Sequence, residues 1–184
     1  MENKDIYAIF SAPISHPSYI SFIQQILPYC TGRDRRLYLA FDSRGGDINV
    51  GVLMYNVLKS LPISLTTHNI GSVDSVANVV FLAGEHRFCA PSATFAFHSS
   101  GFFPEPNVRV DERLLLEWID KVQVRNKSLT SILKDRTKLT DDMVSDLLRE
   151  EKFMTAEWAL EHGVIDKINS FEVPDGAHYV AHMA

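Results

Sequence analysis

The sequence is poor in the residues that mark several classes of protein. Its 184 residues include only two cysteines, Cys30 and Cys89, and two thiols in such apolar or turn settings are more often reduced and buried than bridged. Neither the cysteines nor the seven histidines show the spacing of a zinc site. A disulfide framework is therefore excluded, and no metal or other cofactor is predicted.

Basic tracts and long apolar runs are also missing. Lysine and arginine number 18 against 23 acidic residues, a formal charge of −5 at pH 7, so nucleic acid is not an expected partner. No apolar run approaches the roughly 20 residues of a membrane-spanning helix, and the first residues do not form a charged and then apolar signal segment. We therefore expect a cytoplasmic protein with no membrane partner.

The sequence does contain enough apolar material for one core. Its length falls within the roughly 100 to 200 residues of a typical domain, and 46% of its residues are hydrophobic. We expect a single domain over residues 1–184, with a core from about 6 to 168 and a C-terminal tail at 169–184 that carries little information.

Strands and helices alternate along the chain. Three β-rich runs are each followed by apolar residues at helical spacing; the strand–helix pairs are 6–10 with 19–27, 35–41 with 50–61, and 63–69 with 75–83. The third strand is predicted to end in a turn at Gly71. Such repeated units predict an α/β fold with parallel strands and with its chemistry at the carboxyl ends of the strands.

The second half of the chain is predicted to be mostly helical. Its expected elements are short strands at 87–89 and 94–97, a loop at 101–110, a long helix from Asp111 to about residue 133, helices beginning near Thr140 and Thr155, and a last strand at 164–166. The long helix has a wide apolar face, which predicts contact with a second subunit. Whether Phe102 and Phe103 in the loop form a lid is open.

Two predicted strand ends carry parts of a serine hydrolase site. Ser75 stands before a helix, where it can act as a nucleophile, although a serine at that position is more often a simple N-cap. Gly45 and Gly46 have no side chains, so their backbone can approach a substrate closely. The N–H of Gly46, with that of Val76, can form an oxyanion hole.

The base and the acid are less well determined. His98 ends the predicted strand at 94–97 and can take the serine proton if the two strand ends are neighbours. His68 is a rival base, because it also lies at a strand end. For the orienting acid, Asp74, Glu150 and Glu151 are all available, and spacing alone does not choose among them.

Five segments occur in the order and approximate spacing seen in the proteolytic subunit of Clp protease. They are D-S-R-G-G-D at 42–47, G-S-V-D-S-V at 71–76, F-C-A-P-S at 88–92, F-A-F-H-S at 95–99 and F-M-T-A-E at 153–157. Gly46 and Ser75 are 75 − 46 = 29 positions apart, which matches the family without a gap. The sequence therefore resembles the Clp peptidases from about residue 6 to 168, although over 101–137 only the pattern agrees.

The resemblance implies a role for each part of the site. Ser75 becomes the nucleophile, His98 the general base, and the N–H groups of Gly46 and Val76 the oxyanion hole. The family's triad aspartate aligns with Glu151, and a shift of one residue would place Glu150 there instead.

The resemblance also implies a fold and a function. The fold is a ClpP/crotonase-like spiral of repeated strand–helix units, with the helix from Asp111 as a long protruding handle between stacked rings. The function is that of a serine endopeptidase that forms an acyl-enzyme with peptides or unfolded chains, and our own hypothesis is that it works without ATP. Activity is expected to need a homo-oligomeric ring, because the acid lies next to a helix that packs against neighbouring subunits.

Departures from the family leave two rival functions open. Arg44 replaces the family's proline, and only residues 1–5 precede the first strand, where the family builds part of its docking surface. We therefore expect no pairing with a standard Clp unfoldase. The rivals are an inactive ring scaffold, suggested by Arg44 and by the glutamate, and a crotonase-type acyl-thioester enzyme. A Ser–Lys dyad is a further option for which no lysine can be singled out.

Overall fold

The computed structural model describes residues 5–32, 34–101 and 106–184, so the possible lid residues Phe102 and Phe103 lie outside them. The strands are β1 (Asp5–Ser11), β2 (Arg36–Ser43), β3 (Ser64–Asp74), β4 (His86–Cys89), β5 (Thr94–Phe97), β6 (Lys152–Met154), β7 (Lys167–Ile168) and β8 (His178–Met183). The α-helices are α1 (His16–Ile26), α2 (Ile48–Ser60), α3 (Ala77–Phe81), α4 (Glu112–Arg136), α5 (Asp141–Glu150) and α6 (Ala156–Glu161).

The strands form one sheet that is parallel except at one edge. Its order is β6-β5-β3-β2-β1-β8, and β4 pairs with β3 and β7. Only the β5–β6 pair among these strands is antiparallel. Because β2, β3 and β5 are parallel neighbours, their carboxyl ends at Ser43, Asp74 and Phe97 meet along one edge of the sheet, as the sequence predicts.

Buried phenylalanines attach the helices to this sheet. Phe10 of β1 packs edge-on against Phe22 of α1 and stacks on Phe41 of β2, with ring centroids 5.2 and 5.3 Å apart. Phe81 of α3 packs edge-on against Phe95 of β5 at 5.4 Å. Aromatic pairs favour these geometries. The contact between Phe81 and Phe95 holds the short helix α3 against β5, the strand that leads to His98.

The prediction of a turn at Gly71 is wrong, because β3 continues through this residue to Asp74. Gly71 instead permits a close approach, since a Cβ there would lie 2.5 Å from Oδ1 of Asp42. That oxygen accepts a hydrogen bond from the N–H of Ser72. At this point β3 changes its partner from β4 to β5. The longer strand carries the chain directly to Ser75 at the sheet edge.

The ends of the chain's second half also differ from the prediction. The last strand was expected at 164–166, but Val164 and Ile165 are buried core residues that precede β7. The tail contains β8, which pairs in parallel with β1. The three-residue strand β6 was not predicted either. Both missed strands lie at sheet edges. An edge strand is held by pairing with one neighbour and does not need a strong alternation of apolar and polar residues, so its sequence gives little signal.

The long helix α4 is present as predicted, and most of it is exposed. Its 25 residues span about 37 Å at 1.5 Å per residue. Only Leu129 and Leu133, near its C-terminal end, are buried. The rest carries several exposed apolar side chains, which are Leu115, Leu116, Ile119 and Val124. The N-terminal part of α4 therefore extends away from the core with an apolar surface.

Candidate functional site

Ser75 occupies an uncommon backbone conformation directly after β3. Its φ is 58°, in the left-handed region that residues other than glycine rarely adopt. Its N–H donates to the carbonyl of Ala96 in β5 at 2.9 Å. Such conformations cost free energy and occur often at functional sites. The sharp turn places the serine between the sheet edge and α3.

The interpretation of Ser75 as a simple N-cap is wrong. The N-cap of α3 is Val76, and no side chain caps this helix. Within the described part of the chain, the Ser75 hydroxyl has no hydrogen-bond partner. The side chain is partly buried, so its hydroxyl is partly shielded from solvent and is not held by a hydrogen bond to another described residue. It is available for chemistry.

The two glycines before α2 allow close packing on both sides of this segment, Gly45 against Ser75 and Gly46 against Ile14. Gly45 has a φ of 83°, and a Cβ on it would lie 2.7 Å from Cβ of Ser75 and 3.2 Å from its Oγ. Gly46 has a φ of 148°, and a Cβ there would lie 2.2 Å from the carbonyl oxygen of Ile14. A side chain at Gly45 would displace the segment from Ser75, and one at Gly46 would displace it from Ile14.

Two backbone donors remain free beside the serine. The bridge between this segment and Ile14 uses the Gly45 carbonyl and the Asp47 N–H, each at 2.8 Å. Neither the N–H of Gly46 nor that of Val76 has an acceptor among residues 5–32, 34–101 and 106–184. Free N–H groups of this kind are what an oxyanion hole requires, so the predicted pair remains a sound candidate.

Ser75 and His98 line the same narrow cavity of about 10 Å³, which is room for about one water molecule. Apolar side chains of β5, α3, α4 and α5 form most of the other walls, together with Asn78. Nδ1 of His98 lies 2.9 Å from the carbonyl oxygen of Ser99. A carbonyl only accepts, so Nδ1 carries the proton and Nε2 of a neutral ring is a free acceptor.

The rival base His68 lies in a different place. Its side chain is buried, its Nε2 donates to the carbonyl of Asn169 at 2.8 Å, and its ring packs edge-on against Phe88 and Phe171. It lines a separate cavity of about 380 Å³. Burial lowers the pKa of His68. The structure therefore does not bring this histidine to Ser75.

None of the three candidate acids bonds to His98. Asp74 accepts from the hydroxyl of Ser72. Glu150 pairs with Arg149 and Lys152, and its hydrogen bond with Lys152 lowers its pKa. Glu151 is exposed and ends α5 in a left-handed conformation, with a φ of 46°.

Strand pairing favours Glu151 over Glu150 as the acid. In the antiparallel β5–β6 pair, Phe97 lies opposite Lys152. The pairing ends there, so His98 and Glu151 are the next residue on each strand beyond the last pair, whereas Glu150 is one position further away. The structure thus brings Ser75 and His98 to one cavity and forms no bond between His98 and any of the three candidate acids.

One residue of the site was missed by the sequence analysis. Asn78 is buried, and its Nδ2 donates to the carbonyls of Ser75 at 3.0 Å and Ala96 at 2.8 Å. The only signal in the sequence is that Asn78 is a lone amide within the apolar run at 76–83. Its partners cannot be read from that run.

The thiols give no second reactive centre. Cys30 and Cys89 are both free and buried, and burial raises the pKa of Cys30 to about 11 and that of Cys89 to about 12. Buried thiols of this kind are inert. Over the described ranges, no group of three His, Cys, Asp or Glu side chains could hold a metal ion. No described helix is long and apolar enough to cross a bilayer.

Comparison with known proteins identifies the relatives of this chain. A family model described as Clp protease matches residues 3–172. The chain is 29% identical over 136 residues to the chloroplastic ATP-dependent Clp protease proteolytic subunit-related protein 2 of Arabidopsis thaliana. It is 28% identical over 139 residues to the ATP-dependent Clp protease proteolytic subunit 1 of Leifsonia xyli subsp. xyli. Each match covers 73% of this chain.

The relatives differ from this chain in length. The match spans 47% of the Arabidopsis protein and 67% of the Leifsonia protein. Among solved structures, a ClpP1 mutant from Listeria monocytogenes superposes with a TM-score of 0.79, over 90% of this chain and 91% of that one, at 14% sequence identity. That similarity confirms the predicted ClpP-like α/β fold.

Proposed function

We propose, because the chain belongs to the Clp protease family, that it is a serine-type endopeptidase acting on peptides or unfolded chains. The observation that carries the proposal is the state of Ser75. Its hydroxyl has no bond to any described residue, it shares a cavity with His98, and the free N–H groups of Gly46 and Val76 lie in the adjoining segments. A structural serine would use its hydroxyl for a cap or a turn.

The arrangement supports acyl transfer in which every proton that is removed is also returned. Oγ of Ser75 bonds to the carbonyl carbon of the scissile peptide while its proton moves to Nε2 of His98. The N–H groups of Gly46 and Val76 bind the oxyanion, and His98 then gives its proton to the leaving amine. Water repeats the sequence on the acyl-enzyme and restores the serine. The reaction consumes one water and requires neither ATP nor a cofactor.

Assembly is part of the proposal. The exposed apolar side chains of α4 are suited to contact with a second copy of the chain in a homo-oligomeric ring. α4 and α5 also form part of the wall of the Ser75 cavity, through Leu129, Leu133 and Leu148. Packing on α4 can therefore shift the end of α5, where Glu151 lies, toward His98. That the chain does not pair with a standard Clp unfoldase, and that it is cytoplasmic, remain separate predictions.

A second candidate is an inactive ring subunit, and one observation favours it. No candidate acid bonds to His98, and Nδ1 of this histidine faces a backbone carbonyl instead. A carbonyl fixes the tautomer, but it stabilises a charged imidazolium less than a carboxylate does. In this alternative the chain would support the assembly without cleaving peptides.

The first experiment is labelling with a fluorophosphonate probe, followed by intact-mass measurement. The assembled wild-type protein is compared with the variants Ser75→Ala and His98→Ala. Ser99→Ala is the matched control, because it removes an exposed hydroxyl beside His98 and keeps the Ser99 carbonyl. We expect one label per chain in the wild type and in Ser99→Ala, and none in the other two variants.

The outcomes separate the two candidates. A folded and assembled wild type that takes no label would support the inactive subunit. If it instead bound a coenzyme A thioester, the acyl-thioester alternative would gain support. Labelling that persists in Ser75→Ala would place the nucleophile elsewhere and refute the site.

A further inference from the structure

Asn78 holds the backbone around Ser75 from within the core. Its side chain is 2% exposed and donates through Nδ2 to the carbonyls of Ser75 and Ala96. The N–H of Ser75 donates to the same Ala96 carbonyl. The backbone N–H of Asn78 donates to the Ser75 carbonyl at 3.1 Å. Ala96 lies two residues before His98. One amide group therefore connects the serine turn with the strand that carries the histidine.

A second buried asparagine shows what is unusual about this arrangement. Asn69 is fully buried, donates through Nδ2 to the carbonyl of Thr94, and accepts the N–H of Gly71 through Oδ1. Both ends of its amide are satisfied. Oδ1 of Asn78, by contrast, is buried and has no partner among the described residues. Leaving an acceptor unpaired is unfavourable, so the amide of Asn78 is explained by its two donor bonds.

We propose that Asn78 is a positioning residue for the Ser75 nucleophile. A serine in the left-handed region keeps that conformation only if its surroundings over-determine it. Asn78 supplies this restraint at the serine carbonyl, while Ala96 supplies it at the serine N–H. Together these bonds keep Oγ in the cavity that it shares with His98. This inference rests on the proposed function, because a position matters for rate only if Ser75 reacts.

The test compares two variants of nearly equal volume. Asn78→Ala removes both donor bonds. Asn78→Ser also shortens the side chain, but a helical serine hydroxyl can donate to the carbonyl three residues before it, which here is that of Ser75. The difference between the two variants isolates the donor from the loss of packing. Asn69→Ala, in β3, is the control for removing a buried amide that also donates to a carbonyl of β5.

The rate of fluorophosphonate labelling and the kinetics of peptide cleavage are measured, with thermal unfolding alongside. We expect Asn78→Ala to lower both rates by about 10- to 100-fold, since a small misplacement of a reacting group has effects of this size. We expect Asn78→Ser to recover most of the loss and Asn69→Ala to stay within about twofold of wild type. The loss should fall on kcat more than on KM, because the Nδ2 bonds of Asn78 hold the backbone that carries the nucleophile and not a substrate group.

Two results would overturn the inference. One is wild-type labelling of Asn78→Ala. The other is an equal loss of labelling and cleavage rate in Asn78→Ala and Asn78→Ser that is proportional to the decrease in their Tm. That result would indicate a purely structural role.

Failure of the proposed function gives a different pattern. If the folded wild type takes no label, that function fails, and the positioning inference is then decided by exchange of the Ser75 amide hydrogen. Exchange that is at least about tenfold faster in Asn78→Ala, but not in Asn78→Ser or Asn69→Ala, supports it. Unchanged exchange in Asn78→Ala overturns it.

Discussion

The two halves of the candidate site are built differently. Around Ser75, the backbone is fixed by the bond that its N–H donates to Ala96, by the bonds that it accepts from Asn78, and by close packing against Gly45. At the acid end, Glu150 and Glu151 lie at the exposed junction of α5 and β6. Glu150 is engaged by Arg149 and Lys152, and Glu151 has no bond to the histidine that it would orient.

This difference indicates which part of the site is complete in a single chain. The serine half depends on contacts within one sheet and its adjacent helix, and those contacts form when the chain folds. The acid half depends on the end of α5, which packs beside the exposed helix α4. We infer that the nucleophile is preorganised and that the acid is positioned by assembly.

The strongest test of the preorganised half is the substitution Gly45→Ala. The new Cβ would lie 2.7 Å from both the Asp74 carbonyl and Cβ of Ser75, and the φ of 83° is unfavourable for alanine. The change displaces the nucleophile and one oxyanion donor together, so we expect labelling to fall by at least about 1,000-fold. Circular dichroism and intact-mass labelling measure fold and reactivity in the same samples.

Gly101→Ala is the matched control, because no described residue other than its chain neighbours comes within 4 Å of a Cβ at that position. We expect it to label like the wild type. A folded Gly45→Ala protein that labelled at the wild-type rate would show that the close packing against Ser75 is unimportant.

The acid half is tested by Glu151→Gln and Glu150→Gln in the assembled protein. Glu151 directly follows the last pair of the β5–β6 register on its strand, as His98 does on the other, so we expect Glu151→Gln to lower the labelling rate by about 100-fold. Removing the triad acid of another serine protease costs more, about 10⁴-fold, but here the Ser99 carbonyl also holds Nδ1. Glu150→Gln should change the rate by less than about threefold, since this side chain is engaged on the surface.

A reversed order, with the larger loss in Glu150→Gln, would mean that the register slips by one residue at this edge. Equal wild-type rates in both variants would leave His98 oriented by the backbone alone. Glu151→Asp is a useful addition, because it restores the side-chain length of the family's aspartate while keeping the charge.

The fold and the serine half could be predicted because they depend on local pattern. Alternating β-rich and helical segments indicate parallel strands, and the carboxyl ends of such strands meet, which brings Ser75 and His98 together. The turn assigned to Gly71 failed for a long-range reason. The glycine admits Asp42 from the neighbouring strand, and no local pattern shows such an approach.

The supporting residues could not be predicted for the same kind of reason. The partners of Asn78 include Ala96, which lies 18 positions away along the chain. The choice between Glu150 and Glu151 depends on the pairing of a three-residue strand, which carries too few side chains for a recognisable alternation. Site geometry therefore becomes visible only once the register between strands is known.

A charge on α4 tests whether assembly positions the acid. Leu116 is 56% exposed, so Leu116→Glu should leave the folded chain intact while placing a charge in the predicted contact. We expect a smaller particle in sedimentation and a roughly tenfold lower labelling rate at micromolar concentration. Leu27→Glu, at a 47% exposed leucine after α1, is the control. A dissociated Leu116→Glu protein with full reactivity would contradict the inference.

The smallest expected effect on reactivity comes from the rejected base, His68. Because burial lowers its pKa in the folded state, the unfolded chain takes up this proton first, near pH 6.5. Stability should therefore fall as the pH drops below about 6.5, by at most about 1.4 kcal/mol per pH unit from this group.

His68→Gln keeps an amide donor for the Asn169 carbonyl but cannot titrate. Urea unfolding at pH 7.5 and 5.5 should show a smaller loss of stability in this variant than in the wild type, while labelling stays within about twofold. A variant that kept the wild-type pH dependence of stability would show that His68 is not the group responsible, and one that lost labelling would show that His68 is coupled to the Ser75 site.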